Sequence, residues 1–245
     1  MKKFLLFIIL LYILRQIMRR PLPKLDADIV LSPGGYRGVY TLGICHYVKN
    51  HFDVKDKTFA GFSSGSFNGL FMVIDKEYNN QFLNHLFCIK KCSIERLLTN
   101  VTHVISDNFK KEQFELERLH VAVSTPDGLE YFKDFLTLQD VLSCCTCSSF
   151  VPMVTCHDIF MFYRSKLTLD GGVFYRDVKK QEKEKLIIHP SMFGRYKPNR
   201  TAGFYQPKTS TYQMYLNGYH DARKNHAYFE QFFKETPTLV HTPPS

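Results

Sequence analysis

Two short apolar strands near the start of the chain each run into a glycine-containing turn and then into an apolar helix. The first strand, Asp28–Ser32, stops before Gly34, and apolar residues at helical spacing follow over Val39–Val48. The second strand ends at Ala60 and leads through Ser63 into another apolar, helix-like segment. This order of strands, turns and helices is typical of a parallel sheet with crossover helices. The sequence therefore predicts an α/β fold.

Further elements are predicted along the rest of the chain. The predicted strands are Leu119–Ser124, Ile159–Tyr163, Lys166–Leu169 and Leu186–Ile188, and the segment Tyr212–Phe233 is predicted as a closing amphipathic helix. The third of these strands ends directly before Asp170, which is followed by two glycines.

Length and charge limit the possible functions. The chain has 245 residues, of which 44% are hydrophobic, which is enough for one substantial core and short for two. A formal net charge of +9 would suit nucleic acid, an anionic membrane surface or an acidic ligand. The sequence has no zinc-finger spacing, no RNP-like aromatic motif and no Walker A motif, so we expect no nucleic-acid partner.

The N-terminus is predicted to target a membrane. Residues 4–14 are apolar apart from Tyr12, and the basic residues Lys2, Lys3, Arg15, Arg19 and Arg20 flank them. As a helix, residues 4–18 reach about 22 Å, less than the roughly 30 Å of a bilayer's hydrocarbon core. A signal-peptide cleavage site would need small residues after the run, and Arg, Gln, Met and Pro stand there instead. We therefore expect a retained anchor rather than a cleaved signal, and a helix packed on the protein's own core is the alternative.

These observations predict three regions. Residues 1–25 form the membrane anchor and a basic linker, residues 26–235 the catalytic domain, and residues 236–245 a frayed tail. The protein is expected to be membrane-associated, with its catalytic domain facing the cytoplasm.

The cysteines predict neither a disulfide framework nor a metal site. There are seven of them, an odd number without regular spacing, so reduced thiols are expected. The cluster Cys144, Cys145 and Cys147 with Cys156 has no pair of C-x2-C motifs at zinc-site spacing. No metal and no cofactor are expected.

The sequence Gly61-Phe62-Ser63-Ser64-Gly65 has the pattern of a nucleophile elbow. The turn between strand and helix in such an elbow is so tight that glycine neighbours are needed for the serine hydroxyl to project into a cleft. The pattern alone is weak because glycine and serine are common residues. Its position after an apolar strand favours Ser63 as a catalytic nucleophile.

Three glycine-framed segments follow three predicted strands: residues 34–38, Ser63 with its flanking glycines, and Asp170-Gly171-Gly172. Ligands of open parallel sheets bind at the carboxyl ends of the strands. Together the segments could form an acyl-transfer site in which Ser63 attacks a carbonyl and the backbone N–H groups of Gly34 and Gly35 bind the oxyanion. Asp170 would accept the serine proton, provided that burial raises its pKa.

Arg37 and Gly38 complete the first glycine segment. Arg37 is expected either to hold a substrate phosphate or to tie down the loop through a salt bridge, and the sequence does not choose between these roles. Taken separately, the glycine segments could be ordinary turns.

These residues resemble patatin-like phospholipases, the lipid acyl hydrolases with a Ser-Asp dyad. The family's G-G-G-x-[RK]-G loop is matched from Gly34 to Gly38, its G-x-S-x-G from Gly61 to Gly65, and its D-G-[GA] from Asp170 to Gly172. Residues 148–153 resemble the family's small-residue segment before the dyad aspartate, and residues 215–222 resemble a C-terminal helix of some animal members. In all, the resemblance covers about residues 26–177.

The resemblance implies a three-layer α/β/α fold with a mainly parallel central sheet. It also implies Ser63 as nucleophile, Asp170 as general base, phospholipid or acylglycerol esters as substrates, and no metal. Pro33 departs from the family pattern by replacing its first glycine, and a proline has no N–H to donate. Gly34 and Gly35 must then form the oxyanion hole.

Two other functions remain open. An ordinary α/β-hydrolase would use Ser63 with an acid and a histidine, for which His189, His220 and His226 are candidates. The second alternative is a membrane-binding protein that has the same fold but no catalytic activity. The Pro33 substitution and the short chain favour it.

Overall fold

The computed structural model of the chain describes residues 21–197 and 203–233. The predicted anchor segment, residues 1–20, and the predicted tail, residues 236–245, lie outside these ranges. Within them, no helix combines the length and the apolar composition needed to cross a membrane.

A five-stranded sheet forms the centre of the protein, in the order β4-β3-β2-β1-β7. Its strands are β1 (Ile29–Leu31), β2 (Phe59–Phe62), β3 (Leu119–Thr125), β4 (Gly128–Phe132) and β7 (Leu186–Ile188). All neighbouring pairs are parallel except β3 and β4, which form an antiparallel hairpin. The predicted α/β class and the mainly parallel sheet are confirmed.

Helices lie on both faces of this sheet, as a three-layer arrangement requires. They are α1 (Gly38–His51), α2 (Ser64–Val73), α3 (Asn79–Phe87), α4 (Ile94–Asn108), α5 (Leu138–Ser148), α6 (Tyr175–Gln181), α7 (Thr211–Lys224) and α8 (His226–Glu230). Side chains alternate between the faces along each strand. Ile29 and Leu31 pack into the larger core with α1, whereas Val30 packs with Phe174 and Val178, beside and within α6.

The strand register brings the two N-terminal glycine turns together. Leu31 of β1 pairs with Gly61 of β2 on one side and with Ile188 of β7 on the other. The loop that follows β1 and the Ser63 turn that follows β2 therefore leave the sheet side by side at its carboxyl edge.

The strand before Asp170 is not part of this sheet. It is β6 (Lys166–Thr168), which pairs antiparallel with β5 (Met161–Tyr163) in a separate two-stranded hairpin. Pairing between β2 and β3 ends at Ala122, because the chain turns away after Phe62. Beyond that point Leu169 pairs with Ser124. The Ser124 N–H donates to the Leu169 carbonyl at 3.1 Å, and the Leu169 N–H donates to the Ser124 carbonyl at 2.8 Å. Asp170 thus reaches the sheet edge through a hairpin rather than through a strand of the sheet.

The closing helix is also divided. The segment predicted as one helix contains α7 and α8, which are separated at Asn225. The Asn225 side chain donates a hydrogen bond of 2.7 Å to the carbonyl of Asp221, one of the last carbonyls of α7, and so competes with continuation of the helix.

Candidate active site

Ser63 occupies a strained turn between β2 and α2. Its φ of 54° and ψ of −129° lie outside the regions that L-residues usually adopt. Such a conformation costs about 1–3 kcal/mol and is found mainly at functional sites. A Cβ atom on Gly61 would lie 2.4 Å from Ser66 Cα, and one on Gly65 would lie 2.2 Å from the Leu31 carbonyl oxygen. Both glycines are therefore needed for helix α2 to begin this close to the strands.

Ser148, the last residue of α5, fixes the backbone of this turn. Its hydroxyl oxygen accepts a hydrogen bond of 2.8 Å from the Ser63 N–H and donates one of 2.7 Å to the Ala122 carbonyl. The side chain is completely buried. Ser148 therefore connects the elbow to β3 and keeps the Ser63 N–H from acting as an oxyanion donor.

Asp170 is held beside the elbow by its own backbone. Its N–H donates to the Phe150 carbonyl at 2.8 Å, and its carbonyl accepts from the Ser124 hydroxyl at 2.9 Å. A Cβ on Gly171 would lie 2.1 Å from the Ala122 carbonyl oxygen, so the chain after Asp170 packs directly on β3. The glycine pair is what allows this close approach.

The Asp170 carboxylate has one bound and one available oxygen. Oδ1 accepts a hydrogen bond of 2.7 Å from the Gly172 N–H. Oδ2 is buried and has no partner of full hydrogen-bond geometry within residues 21–197 and 203–233. The available oxygen is the one that could accept a proton.

Burial raises the pKa of the Asp170 carboxyl from 3.8 to about 7, although the nearby Ser63 hydroxyl and the hydrogen bond from the Gly172 N–H lower it. The Ser63 hydroxyl thus lies close to the carboxylate, but their contact is longer or less well aligned than a full hydrogen bond. Catalytic hydrogen bonds are often loose in the free protein and tighten when substrate binds. In the described part of the chain no cation offsets the desolvation, so the carboxylate can exchange a proton near neutral pH.

The three candidate histidines are engaged elsewhere. His189 lies after β7 with its ring nitrogens at 3.1 Å from Lys179 Nζ and 3.3 Å from Ser191 Oγ. His220 packs edge-on against the Tyr219 ring, and His226 stacks on Phe52. No described histidine contributes to the pKa of Asp170. The geometry supports a Ser-Asp dyad over a Ser-acid-His triad.

The loop after β1, residues 33–38, leaves two backbone donors available. The N–H groups of Tyr36 and Arg37 donate to Gly203 O at 2.8 Å and Gly34 O at 3.0 Å, respectively. The Gly38 N–H is used within the 3₁₀ turn Gly35–Arg37, which leads directly into α1. Within the described ranges no residue accepts a hydrogen bond from the N–H of Gly34 or Gly35. These are the two donors that the sequence predicts for the oxyanion hole.

Gly35 and Gly203 are packed against each other across this loop. Gly35 has φ of +54°, and a Cβ there would lie 2.4 Å from the Gly203 carbonyl oxygen. Gly203 precedes Phe204, which lines a groove together with Ser63. No sequence motif indicates Gly203.

Arg37 contacts the segment that follows β7. Its Nη1 donates to the Lys197 carbonyl at 3.1 Å, and its guanidinium lies 5.0 Å from the centre of the Tyr196 ring. Of its two predicted roles these contacts support loop stabilisation, through a carbonyl and a ring rather than the predicted salt bridge. Gly38 allows α1 to begin against the elbow, since a Cβ there would lie 2.7 Å from Ser64 Oγ.

Pro33 packs on the Asp170 turn. A Cβ on Gly172 would lie 3.0 Å from Pro33 Cβ and 2.7 Å from Asp170 Oδ1. The proline ring therefore covers Gly172 and connects the loop after β1 to the Asp170 turn, although it supplies no N–H of its own.

A groove with apolar walls extends from Ser63. It is lined by apolar residues of four helices, namely Val39 and Leu42 of α1, Phe67 of α2, Leu86 and Phe87 of α3, and Ile94, Leu97, Leu98 and Val101 of α4. Gly35, Ser63 and Ser64 also line it. The buried hydroxyl groups of Ser64 and Ser149 have no hydrogen-bond partner in the described part of the chain, and both residues line the groove. The groove thus has long apolar walls, and the hydroxyl oxygens of Ser64 and Ser149 lie buried behind its surface.

The cysteine cluster has no visible role at this site. Cys144, Cys145 and Cys147 are buried free thiols of α5, whose pKa values burial raises. Among residues 21–197 and 203–233, no three histidine, cysteine or acidic side chains are grouped so that they could hold a metal ion.

No protein-family model matches this chain, and no curated protein matches its sequence with significant similarity.

The sequence did not assign roles to Ser148, Gly203 or the walls of the groove. Ser148 is the first residue of segment 148–153, which resembles the small-residue segment of patatin-like phospholipases. That resemblance is the one sequence signal that could have indicated a role for Ser148. The groove residues are apolar positions of helices, and their sequence spacing does not distinguish a groove wall from a core.

Replacing Ser148 with alanine is expected to lower kcat by about 10–100-fold while KM stays nearly unchanged, because the backbone of the nucleophile loses its fixed position. The buried N–H of Ser63 would also lose its partner, which should lower the free energy of unfolding by about 1–3 kcal/mol. Kinetics on an ester substrate and thermal unfolding measure both effects.

Ser143→Ala is the matched control, since Ser143 lies on the same helix and its hydroxyl donates to the Gln139 carbonyl one turn earlier. That variant should retain the kcat of the wild type. Full kcat in Ser148→Ala would show that the bridge does not position Ser63.

Proposed function

We propose that this protein is a lipid acyl hydrolase of the patatin-like type, which cleaves ester bonds of phospholipids or acylglycerols through an acyl-enzyme on Ser63. The observation that carries the proposal is the strained Ser63, placed at a groove with apolar walls and beside a buried Asp170 whose pKa is about 7. The sheet order, the helices on both faces and the motif positions support the patatin-like fold.

In the first half of the reaction, Ser63 Oγ attacks the ester carbonyl carbon and its proton passes to Asp170 Oδ2. The carbonyl oxygen becomes an oxyanion that the N–H groups of Gly34 and Gly35 stabilise. The ester bond then breaks, and the leaving alcohol takes the proton from Asp170. The acyl group remains bound to Ser63.

In the second half, Asp170 removes a proton from water, which attacks the acyl-enzyme. The resulting oxyanion occupies the same pair of N–H groups. When the bond to Ser63 breaks, Ser63 Oγ recovers a proton from Asp170 and the fatty acid is released. Neither half requires a metal or a cofactor.

The groove supports an acyl chain as the bound part of the substrate. Its walls are leucine, valine, isoleucine and phenylalanine side chains, which bury hydrocarbon favourably at about 25 cal/mol per Å². A peptide substrate would leave its own amide groups unsatisfied along such walls.

Attachment to a membrane through residues 1–20 remains part of this proposal, because an enzyme anchored at the bilayer is held next to its substrate. The cytoplasmic orientation of the catalytic domain is proposed with it. Residues 1–20 lie outside the described ranges.

The test is hydrolysis of a lipid panel. Wild-type protein is expected to release free fatty acid from phospholipid vesicles or acylglycerol emulsions, and excess EDTA should leave the rate unchanged. Soluble short-chain esters should also be cleaved, whereas peptide amides should not. Failure to release fatty acid from every lipid and ester offered would contradict the proposed function.

A further inference from the structure

Four large apolar side chains are exposed on one segment beside the candidate site. They are Met153, Ile159, Phe160 and Phe162, which we call the apolar rim. Phe160 and Phe162 are each 64% exposed, and their spacing of two residues at β5 places them on one face of the hairpin. Soluble surfaces rarely group such residues, and grouped apolar side chains mark interaction sites.

The apolar rim adjoins the mouth of the groove. Thr155, between Met153 and Ile159, lines the groove and donates to the Ser149 carbonyl at 2.8 Å. His157 lies 3.3 Å from Glu95 in the first turn of α4, and the preceding Ile94 also lines the groove. The rim is therefore continuous with the surface through which a substrate would enter.

The hairpin is oriented along α5. At its turn, Arg164 forms an ion pair of 2.9 Å with Asp140 in the first turn of α5. Further along, Cys147 near the end of α5 donates through its thiol to the Phe162 carbonyl. Phe160 therefore lies toward the Ser148 end of α5, which is the end at the candidate active site.

The charges nearby favour an anionic partner. Lys90, Lys91 and Arg96 are exposed around the start of α4, which the His157–Glu95 contact places next to the rim. Asp158 is the exposed acidic residue within the rim segment, and its carboxylate accepts a hydrogen bond of 3.0 Å from the Cys156 thiol. Exposed apolar groups beside a basic cluster match the surface of a bilayer that contains anionic phospholipid.

We propose that the apolar rim docks on a phospholipid bilayer, with Phe160 and Phe162 inserted at the boundary between headgroups and acyl chains and with the basic cluster on anionic headgroups. This rests on the proposed function, for which a docked rim would align the groove with the lipid. It is a contact separate from the predicted N-terminal anchor.

The chain contains no tryptophan, so one introduced tryptophan reports on its own surroundings alone. The test uses full-length Phe160→Trp in a Ser63→Ala background, mixed with vesicles of phosphatidylcholine and phosphatidylserine. The emission should shift to shorter wavelength and be quenched by brominated acyl chains. The shift should be smaller with phosphatidylcholine alone.

Leu136→Trp in the same background is the matched control. Leu136 is 78% exposed but lies before the first turn of α5, roughly 16 Å from the Ser148 end. Its emission should not change. Unchanged emission of Phe160→Trp, whether or not the protein sediments with the vesicles, would overturn the proposal. A shift that follows protein concentration without lipid would instead show self-association and overturn it as well.

Activity separates this proposal from the proposed function. The double variant Phe160→Ser with Phe162→Ser should hydrolyse vesicle lipid about tenfold more slowly and a soluble short-chain ester at the wild-type rate. Equal rates on vesicles would contradict rim docking while leaving the hydrolase intact. A wild type inactive on both substrates would contradict the hydrolase, whereas the fluorescence result does not depend on catalysis.

Discussion

Ser63→Ala is expected to reduce ester hydrolysis to the background rate, a loss in kcat of about 10⁴–10⁶-fold. Alanine removes the hydroxyl that forms the acyl-enzyme, and no neighbouring serine has its hydroxyl in the same strained turn. The fold should persist, because the hydrogen bonds that residue 63 makes with the hydroxyls of Ser148 and Ser66 use its backbone N–H and carbonyl. Alanine keeps both of these backbone groups. Initial rates and circular dichroism check the two parts.

Ser106→Ala provides the control for the effect of losing a serine hydroxyl, since Ser106 is exposed toward the end of α4. It should retain wild-type activity. If Ser63→Ala kept substantial activity with an intact fold, Ser63 would not be the nucleophile, and a different residue would have to form the acyl-enzyme.

Asp170→Asn is expected to lower kcat by about 10²–10⁴-fold, because asparagine keeps the size of the side chain but cannot accept the serine proton. The amide oxygen can still accept from the Gly172 N–H, so the turn should keep its geometry. For the wild type, kcat/KM should rise with pH to a plateau with an apparent pKa of about 7, as Asp170 loses its proton. The residual activity of Asp170→Asn should lack this rise.

The same substitution should stabilise the protein at alkaline pH. The folded-state pKa of Asp170 is about 7 and its ordinary value is 3.8, so the folded protein holds this proton more tightly than the unfolded chain. Wild-type stability therefore falls as pH rises from about 4 to about 7. Asp170→Asn is spared that loss and should unfold with a free energy roughly 1–4 kcal/mol higher above pH 7. If Asp170→Asn kept the wild-type fall in stability between pH 4 and 7, a group other than Asp170 would cause that fall. If it kept the wild-type pH dependence of kcat/KM, another group would be the base.

Sequence identified the parts of the site that local geometry dictates. Gly61 is required because a side chain there would collide with Ser66, five residues later in the chain. Gly65 is required because a side chain there would collide with Leu31 on the neighbouring strand. A turn this tight leaves a recognisable glycine pattern in the sequence. The turns after β1 and β2 could be placed at one sheet edge because parallel strands with crossover helices end on the same side.

The route to Asp170 could not be predicted in the same way. Its preceding strand was recognised from composition, but composition does not say with which strand a segment pairs. The backbone of Ser124 is left without a partner from β2, because β2 ends at Phe62. Leu169, which lies 45 residues after Ser124 in the chain, pairs with it instead. The strand was therefore found and its sheet was missed.

The contacts that position the candidate site could not be predicted from sequence for a related reason. Ser148 acts on Ser63 across 85 residues, and a serine at a helix end has the same appearance in sequence whether it bonds to water or to the elbow. The groove walls required the positions of four helices. Sequence thus indicated the candidate reacting groups, whereas the groups that position them depended on tertiary packing.

Labelling with a fluorophosphonate tests the central claim most directly, because the reagent bonds covalently to an activated serine. Intact mass and peptide mapping should find one adduct per chain, on the peptide that contains Ser63. The adduct should be absent from Ser63→Ala, form slowly in Asp170→Asn and form at the wild-type rate in Ser106→Ala. An adduct that persists in Ser63→Ala, or a wild type that takes up no label, would contradict a Ser63–Asp170 hydrolase.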